Sequence, residues 1–101
     1  MAYSLKLLPV AKRDLLKARE WHGKKRYGLG EEFKQILDVA IDYVGENPHH
    51  FQRRYKELRL SLVKRFSYAI FYLIDEDRNI VIIFGVLHTI RNPEIARRRI
   101  K

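Results

Sequence analysis

Glu57, Arg59, Arg65, His88 and Arg91 are the side chains of this sequence best suited to act on a phosphate ester. Cleaving RNA without a metal has three requirements. The 2′-hydroxyl must lose a proton, the phosphate charge must be neutralised, and the leaving oxygen must gain a proton. A guanidinium can grip phosphate through two parallel hydrogen bonds, so Arg59 and Arg65 are the candidate phosphate partners and Arg91 a second clamp. His88 could exchange a proton near neutral pH, and Glu57 could act as the base. Each has a plainer reading. His88 ends an apolar run and could simply hydrogen-bond the tail. Arg65 could be a structural partner of an acidic residue such as Asp75 or Glu57. Tyr68 and Tyr72 sit at strand spacing, which favours packing over base stacking. Lys24-Lys25-Arg26 reads as a solvated helix end and His49-His50 as an exposed loop. No two histidines lie four apart and there is no cysteine, so no metal or cofactor is expected.

The elements that must carry these residues follow from periodicity. Tyr3 to Leu8 alternates as a short strand, and Pro9 can open the next helix, where its missing N–H costs nothing. Ala11, Leu15, Ala18 and His22 recur at helical spacing, with Leu16 and Trp21 beside them; Gly23 weakens this helix and Gly28 ends it. Leu29, Phe33, Ile36, Leu37, Ala40, Ile41 and Val44 form a second amphipathic stripe, closed by Asn47-Pro48. Two helices joined by so few residues should form an antiparallel hairpin.

From Tyr55 the period becomes two. Leu58, Leu60 and Leu62 share one face, and Arg59, Ser61 and Val63 the other. Tyr68 to Ile74 is a further strand, linked by the polar stretch 75–79 to the last one, Ile80 to Leu87. That last strand is apolar on both faces, which predicts a central position covered on both sides. Residues 93–100 could form a short basic helix. The basic cluster Arg97-Arg98-Arg99-Lys101 could bind phosphate or acidic protein, or be a frayed terminus. The order predicts an α+β fold: an N-terminal strand, a helix hairpin, then a three-stranded antiparallel meander, with the helices packed on one mostly antiparallel sheet.

With 101 residues the chain can build one core, so a single domain spanning 1–101 is expected. Lys and Arg number 21 against 12 Asp and Glu, for a net charge of +9. Such a surface attracts polyanions: nucleic acid, a ribosome, an anionic membrane surface or an acidic protein. The longest apolar run is far short of a membrane-spanning helix, and no signal core opens the sequence, so a cytoplasmic protein without membrane attachment is expected.

Three stretches together resemble the RelE/ParE toxin superfamily. The first strand followed by Pro9-Val10-Ala11-Lys12-Arg13-Asp14-Leu15 is similar to the family opening. Arg59, then Arg65-Phe66-Ser67-Tyr68-Ala69-Ile70-Phe71-Tyr72, resembles its arginine before an aromatic-rich strand. Ile80 to Leu87 with His88-Thr89-Ile90-Arg91-Asn92-Pro93 resembles its last strand and tail. The resemblance implies a RelE-like fold and the toxin of a type II toxin–antitoxin or plasmid stabilisation system, neutralised by a cognate antitoxin. ParE-like members inhibit growth through DNA gyrase and are not nucleases. RelE-like members cut messenger RNA on the ribosome, some with a Glu, Arg, His and Tyr set. Glu57, Arg65 and His88 match that set loosely by position, whereas Thr89 stands at the tyrosine. The departure favours gyrase as target, with the metal-independent ribosome-dependent ribonuclease as the alternative. A non-toxic, basic nucleic-acid-binding domain is a third reading, and association into a homodimer stays open.

Overall fold

A computed structural model describes residues 3–89. Strand β1 (Ser4–Leu7) leads to helices α1 (Pro9–Lys25) and α2 (Leu29–Glu46), then strands β2 (Arg53–Tyr55), β3 (Leu58–Val63), β4 (Tyr68–Asp75) and β5 (Ile80–His88). The sheet order is β1-β5-β4-β3-β2. Only the β1–β5 pair is parallel; every other neighbour is antiparallel. The helix pair rests on one face of this sheet, giving the expected two-layer α+β architecture.

Two details differ from expectation. A three-residue edge strand, β2, precedes the meander. It is too short to show an alternation and returns on β3 through Lys56 at φ 52°. The strand β5 is interior, as its hydropathy requires, but both helices lie on the same side of it. Val81, Ile83 and Val86 join the core, while Ile82 and Phe84 on the other face are only half-buried. A register shift between Phe71 and Tyr72 absorbs one extra residue of β5 and keeps Ile70–Val86 and Tyr72–Ile83 paired on the helix side. In β3 Leu58, Ser61 and Val63 are buried, and the apolar Leu62 looks outward, 56% exposed.

Gly23 does not break α1, which runs two residues further. Its lack of a side chain lets α2 approach. A Cβ on the facing Gly30 would lie 2.8 Å from the Arg19 carbonyl and 3.3 Å from the Gly23 Cα. Gly28, at φ 83°, makes the reversal between the helices in a left-handed conformation that other residues adopt at a cost. Among the described residues no helix is long and apolar enough to cross a membrane.

Phe33, Leu37 and Val44 from α2 and Ala11 and Ala18 from α1 meet Ile70, Tyr72, Val81, Ile83 and Val86 in one core. Tyr72 is fully buried, and its hydroxyl donates to the Pro48 carbonyl at 2.6 Å. Burial pushes this phenol up to about 12, partly opposed by Arg59. The proton is therefore held more tightly in the folded chain than in the unfolded one. The stabilisation it brings is intact below the unfolded value near 10 and is lost as pH rises towards 12. Tyr72→Phe should lower unfolding free energy by about 1–3 kcal/mol, because the buried carbonyl loses its donor. Urea titrations at neutral pH measure that loss. Repeated up to pH 12, they should show a steeper alkaline decline for the parent protein than for the variant.

Candidate functional site

The β3–β4 connection positions Arg65. It is a single 3₁₀ turn, Arg65–Ser67, in which Phe66 (φ 73°) and Ser67 (φ 57°) both take left-handed backbone angles. Such angles cost a non-glycine residue of order 1–2 kcal/mol. Aromatic packing offsets this cost. The Phe66 ring lies 5.2 Å from Phe33 and 4.7 Å from the buried His22, which itself stacks on Phe33 at 5.0 Å. The Arg65 guanidinium then rests over the Phe66 ring at 4.4 Å. Arg65 donates to Glu32 from Nε at 2.8 Å and from Nη2 at 2.6 Å. Its partner is thus Glu32, at the start of α2, rather than the Asp75 or Glu57 considered from the sequence. Periodicity could not reveal this pair, because its members are 33 residues apart.

His88 ends β5 opposite Tyr68, with ring centroids 5.4 Å apart in an edge-to-face arrangement. The next residue, Thr89, donates from both its amide (2.9 Å) and its hydroxyl (3.1 Å) to the Ser67 carbonyl. Arg65, Ser67, His88 and Thr89 consequently gather at one end of the sheet. The threonine that departs from the tyrosine of some relatives clamps the end of β5 to the β3–β4 turn. Arg91, the residues 93–100 expected to be helical and the terminal basic cluster lie outside the described residues.

Glu57 and Arg59 belong to the opposite end. Glu57 accepts from Arg53 at 3.1 Å in the β2–β3 turn. Arg59 pairs in register with Tyr72 and donates to the Phe51 carbonyl at 2.6 Å. The five residue steps of β3 span about 17 Å at strand rise, so Glu57 is separated from Arg65 by the length of that strand. The structure places Arg65 and His88 at one sheet end, and Glu57 and Arg59 towards the other. It does not bring the two pairs together.

Two features escaped the sequence reading. Asp14 accepts the Val86 amide at 3.0 Å across 72 residues. β1 covers β5 only as far as Ile83, so this amide lies beyond the strand that would otherwise pair with it. A carboxylate in the second turn of a helix gave no sign of that partner. At the far sheet end, Glu76 receives the Tyr3 hydroxyl (3.1 Å) and faces His49 Nε2 (2.7 Å). The His49 hydrogen bond, helped by Tyr3 and Arg59, holds the Glu76 carboxyl below its ordinary value. His49 therefore has a specific partner within its exposed loop. Among the described residues no group of three or more His, Asp or Glu side chains could hold a metal ion.

A shallow groove between the outer faces of α1 and α2, about 260 Å³, is lined by Leu15, Leu16 and Phe33 and rimmed by Lys12, Arg19, Lys34 and Asp38. Arg19 is bound to Glu31 and Lys34 to Asp38. The Leu16 side chain is 56% exposed at its mouth.

A helix hairpin on a five-stranded, mostly antiparallel sheet, with an arginine turn and a histidine at one sheet end, defines a small α+β domain of the RelE type. A family model for the "ParE toxin of type II toxin-antitoxin system, parDE" matches residues 5–93. The chain belongs to this ParE toxin family. Among solved structures it is similar to a mutant of the E. coli toxin RelE in the free state, with 16% identity and a TM-score of 0.68 over 98% of this chain and 94% of that one. It is also similar to the RelBE2 toxin–antitoxin complex from Mycobacterium tuberculosis, with 20% identity and a TM-score of 0.61 over 87% and 92%. The archaeal RelE–RelB complex from Pyrococcus horikoshii OT3 aligns at 15% identity and a TM-score of 0.55 over 90% and 99%. These likenesses establish a shared fold. The comparison with curated proteins gives no match.

The Arg65–Glu32 pair is roughly half exposed, with side chains 50% and 39% accessible. Screening by solvent limits such a pair to about 0–1 kcal/mol. Arg65→Ala should therefore change urea-unfolding free energy by no more than about 1 kcal/mol. Asp14→Ala should cost more, about 1–3 kcal/mol, because it strips the partner from a partly buried amide. A larger loss for Arg65→Ala than for Asp14→Ala would reverse that ranking.

Proposed function

We propose that the chain is a growth-inhibiting toxin that acts by binding, with DNA gyrase as its target, and that a cognate antitoxin neutralises it. The observation that carries this reading is the separation of Glu57 from Arg65 and His88 by the length of β3. A base that far from the phosphate clamp cannot share one scissile bond with it, since general base catalysis needs hydrogen-bond reach. The match to the ParE family supports the same choice. Thr89 adds to it, because its hydroxyl is committed to the Ser67 carbonyl. Purified protein should inhibit gyrase supercoiling and leave messenger RNA on ribosomes intact. Cleaved message with uninhibited gyrase would reject the proposal. Induced alone, the chain should arrest growth of a bacterial host, and its antitoxin should restore it.

The ribonuclease reading retains one favourable observation: Arg65 and His88 do share a sheet end. If they form a nuclease centre, His88→Gln should reduce cleavage by about 10²–10⁴-fold with the fold retained. Unchanged cleavage in that variant removes His88 from any such mechanism.

The groove between α1 and α2 supports a proteinaceous neutraliser. Its apolar floor suits the apolar face of an amphipathic segment laid along the helices. Two of the similar structures are toxin–antitoxin complexes of their own proteins. With a net charge of +9, capture of an acidic partner should be steered at long range. The Debye length shrinks from about 10 Å at 0.1 M salt to about 3 Å at 1 M, so salt should slow association more than it speeds dissociation. Stopped-flow mixing with the product of the adjacent gene measures both rates. Leu16→Glu should weaken the complex by placing a charge at the mouth of the groove, and unchanged affinity would move the antitoxin to another surface.

A further inference from the structure

The tip of the helix hairpin carries residues that neither the core nor the proposed target explains. The last turn of α1 and the link to α2 read Trp21-His22-Gly23-Lys24-Lys25-Arg26-Tyr27-Gly28. Tyr27 is fully exposed and Trp21, the only tryptophan, is 42% exposed. Lys24, Lys25 and Arg26 are exposed between them.

Cations in the last turn of a helix complement its dipole, which accounts for Lys24 and Lys25. It does not account for two aromatic rings beside them in water. Trp21 is also held firmly. His22 meets it edge-on at 4.9 Å and is itself buried against Phe33 and Phe66, so the indole projects from a packed base. The Lys25 ammonium lies 4.7 Å from the centre of the indole ring. Of the carboxylates flanking this stretch, Glu31 is bound to Arg19 and Glu32 to Arg65. Glu32 Oε1 reaches Arg26 only at 3.8 Å. Glu20 is the remaining one, and the local balance stays positive.

We propose that this tip binds single-stranded nucleic acid, with unpaired bases stacked on Trp21 and Tyr27 and phosphates held by Lys24, Lys25 and Arg26. Aromatic faces give sequence-tolerant stacking, and flanking cations follow the backbone. A base on the indole takes the place of the Lys25 ammonium, which swings to a phosphate. An acidic protein would use the cations but gain little from the rings. A lipid interface also accommodates tryptophan and tyrosine beside cations, but it draws its affinity from buried apolar area, and the adjacent Leu29 is half-buried. The inference is independent of the gyrase reading.

Trp21 supplies its own probe, because all tryptophan emission comes from it. Oligothymidylate of about 10 nucleotides, within the usual range of single-strand sites, should quench that emission saturably. Polyglutamate and phosphatidylglycerol vesicles, matched in charge, serve as controls and should not. Each phosphate contact contributes about −0.7 to the slope of log K against log salt, so Lys24→Gln/Lys25→Gln/Arg26→Gln should flatten that slope by about 2. Labelled-oligonucleotide anisotropy should show Tyr27→Ala and Trp21→Ala each weakening binding by about 5- to 150-fold. Tyr27 is fully exposed and its removal leaves the fold intact, so it guards against a misfolded Trp21 variant. Oligonucleotide binding without quenching, equal quenching by polyglutamate or vesicles, or full affinity in Tyr27→Ala would each overturn the proposal.

Discussion

The backbone of β5 needs partners along both edges, and the remaining elements are arranged by where those partners come from. β4 supplies one whole edge, with pairing from Tyr68–His88 to Asp75–Ile80. β1 supplies only the first half of the other, to Ile83. Beyond that point Asp14 from α1 takes the Val86 amide. Leaving a buried amide unpaired costs about 1–3 kcal/mol, so α1 is fixed over the upper half of β5 by a polar requirement as well as by packing. Thr89 then ties the strand end to the Ser67 carbonyl.

This arrangement sets what each sheet end can present. At the upper end, the left-handed pair Phe66 and Ser67 reverses the chain while Phe66 packs on His22 and Phe33. That packing places Arg65 over an aromatic ring and against Glu32, beside the end of β5 that bears His88. The lower end is held by Tyr3, His49 and Glu76, contributed by the chain before β1, the α2–β2 loop and the β4–β5 turn. The two ends are separate surfaces joined through the apolar core. A binding protein can use such surfaces independently, whereas a metal-free nuclease needs its acid, base and clamp at one of them.

The balance of charges also divides the molecule. Several cations are already committed: Arg19 to Glu31, Lys34 to Asp38, Arg53 to Glu57 and Arg65 to Glu32. The surplus that gives +9 must then lie in residues outside these pairs. Long-range attraction depends on that surplus, while specific recognition depends on which apolar side chains stand beside it. Leu16 at the groove and Trp21 and Tyr27 at the hairpin tip are such neighbours, all exposed.

The amino-acid order by itself determined the helices, the long strands and the layer class. Phe33, Leu37 and Val44 had to fall on one helical face, and Tyr68, Ile70 and Tyr72 on one strand face, because backbone geometry fixes those periods. The interior place of β5 followed from apolar residues on both its faces. Short or long-range features were not legible in the same way. Three residues of β2 are too few to show a period, and the outward turn of Leu62 depends on which side the helices cover. Arg65 finds Glu32 across 33 residues, and Asp14 finds Val86 across 72. Neither separation leaves a local pattern in the chain. The distance between Glu57 and Arg65 likewise belongs to the extended length of β3. Residue type named the possible chemistry, but only the packed sheet decided which of those groups can meet.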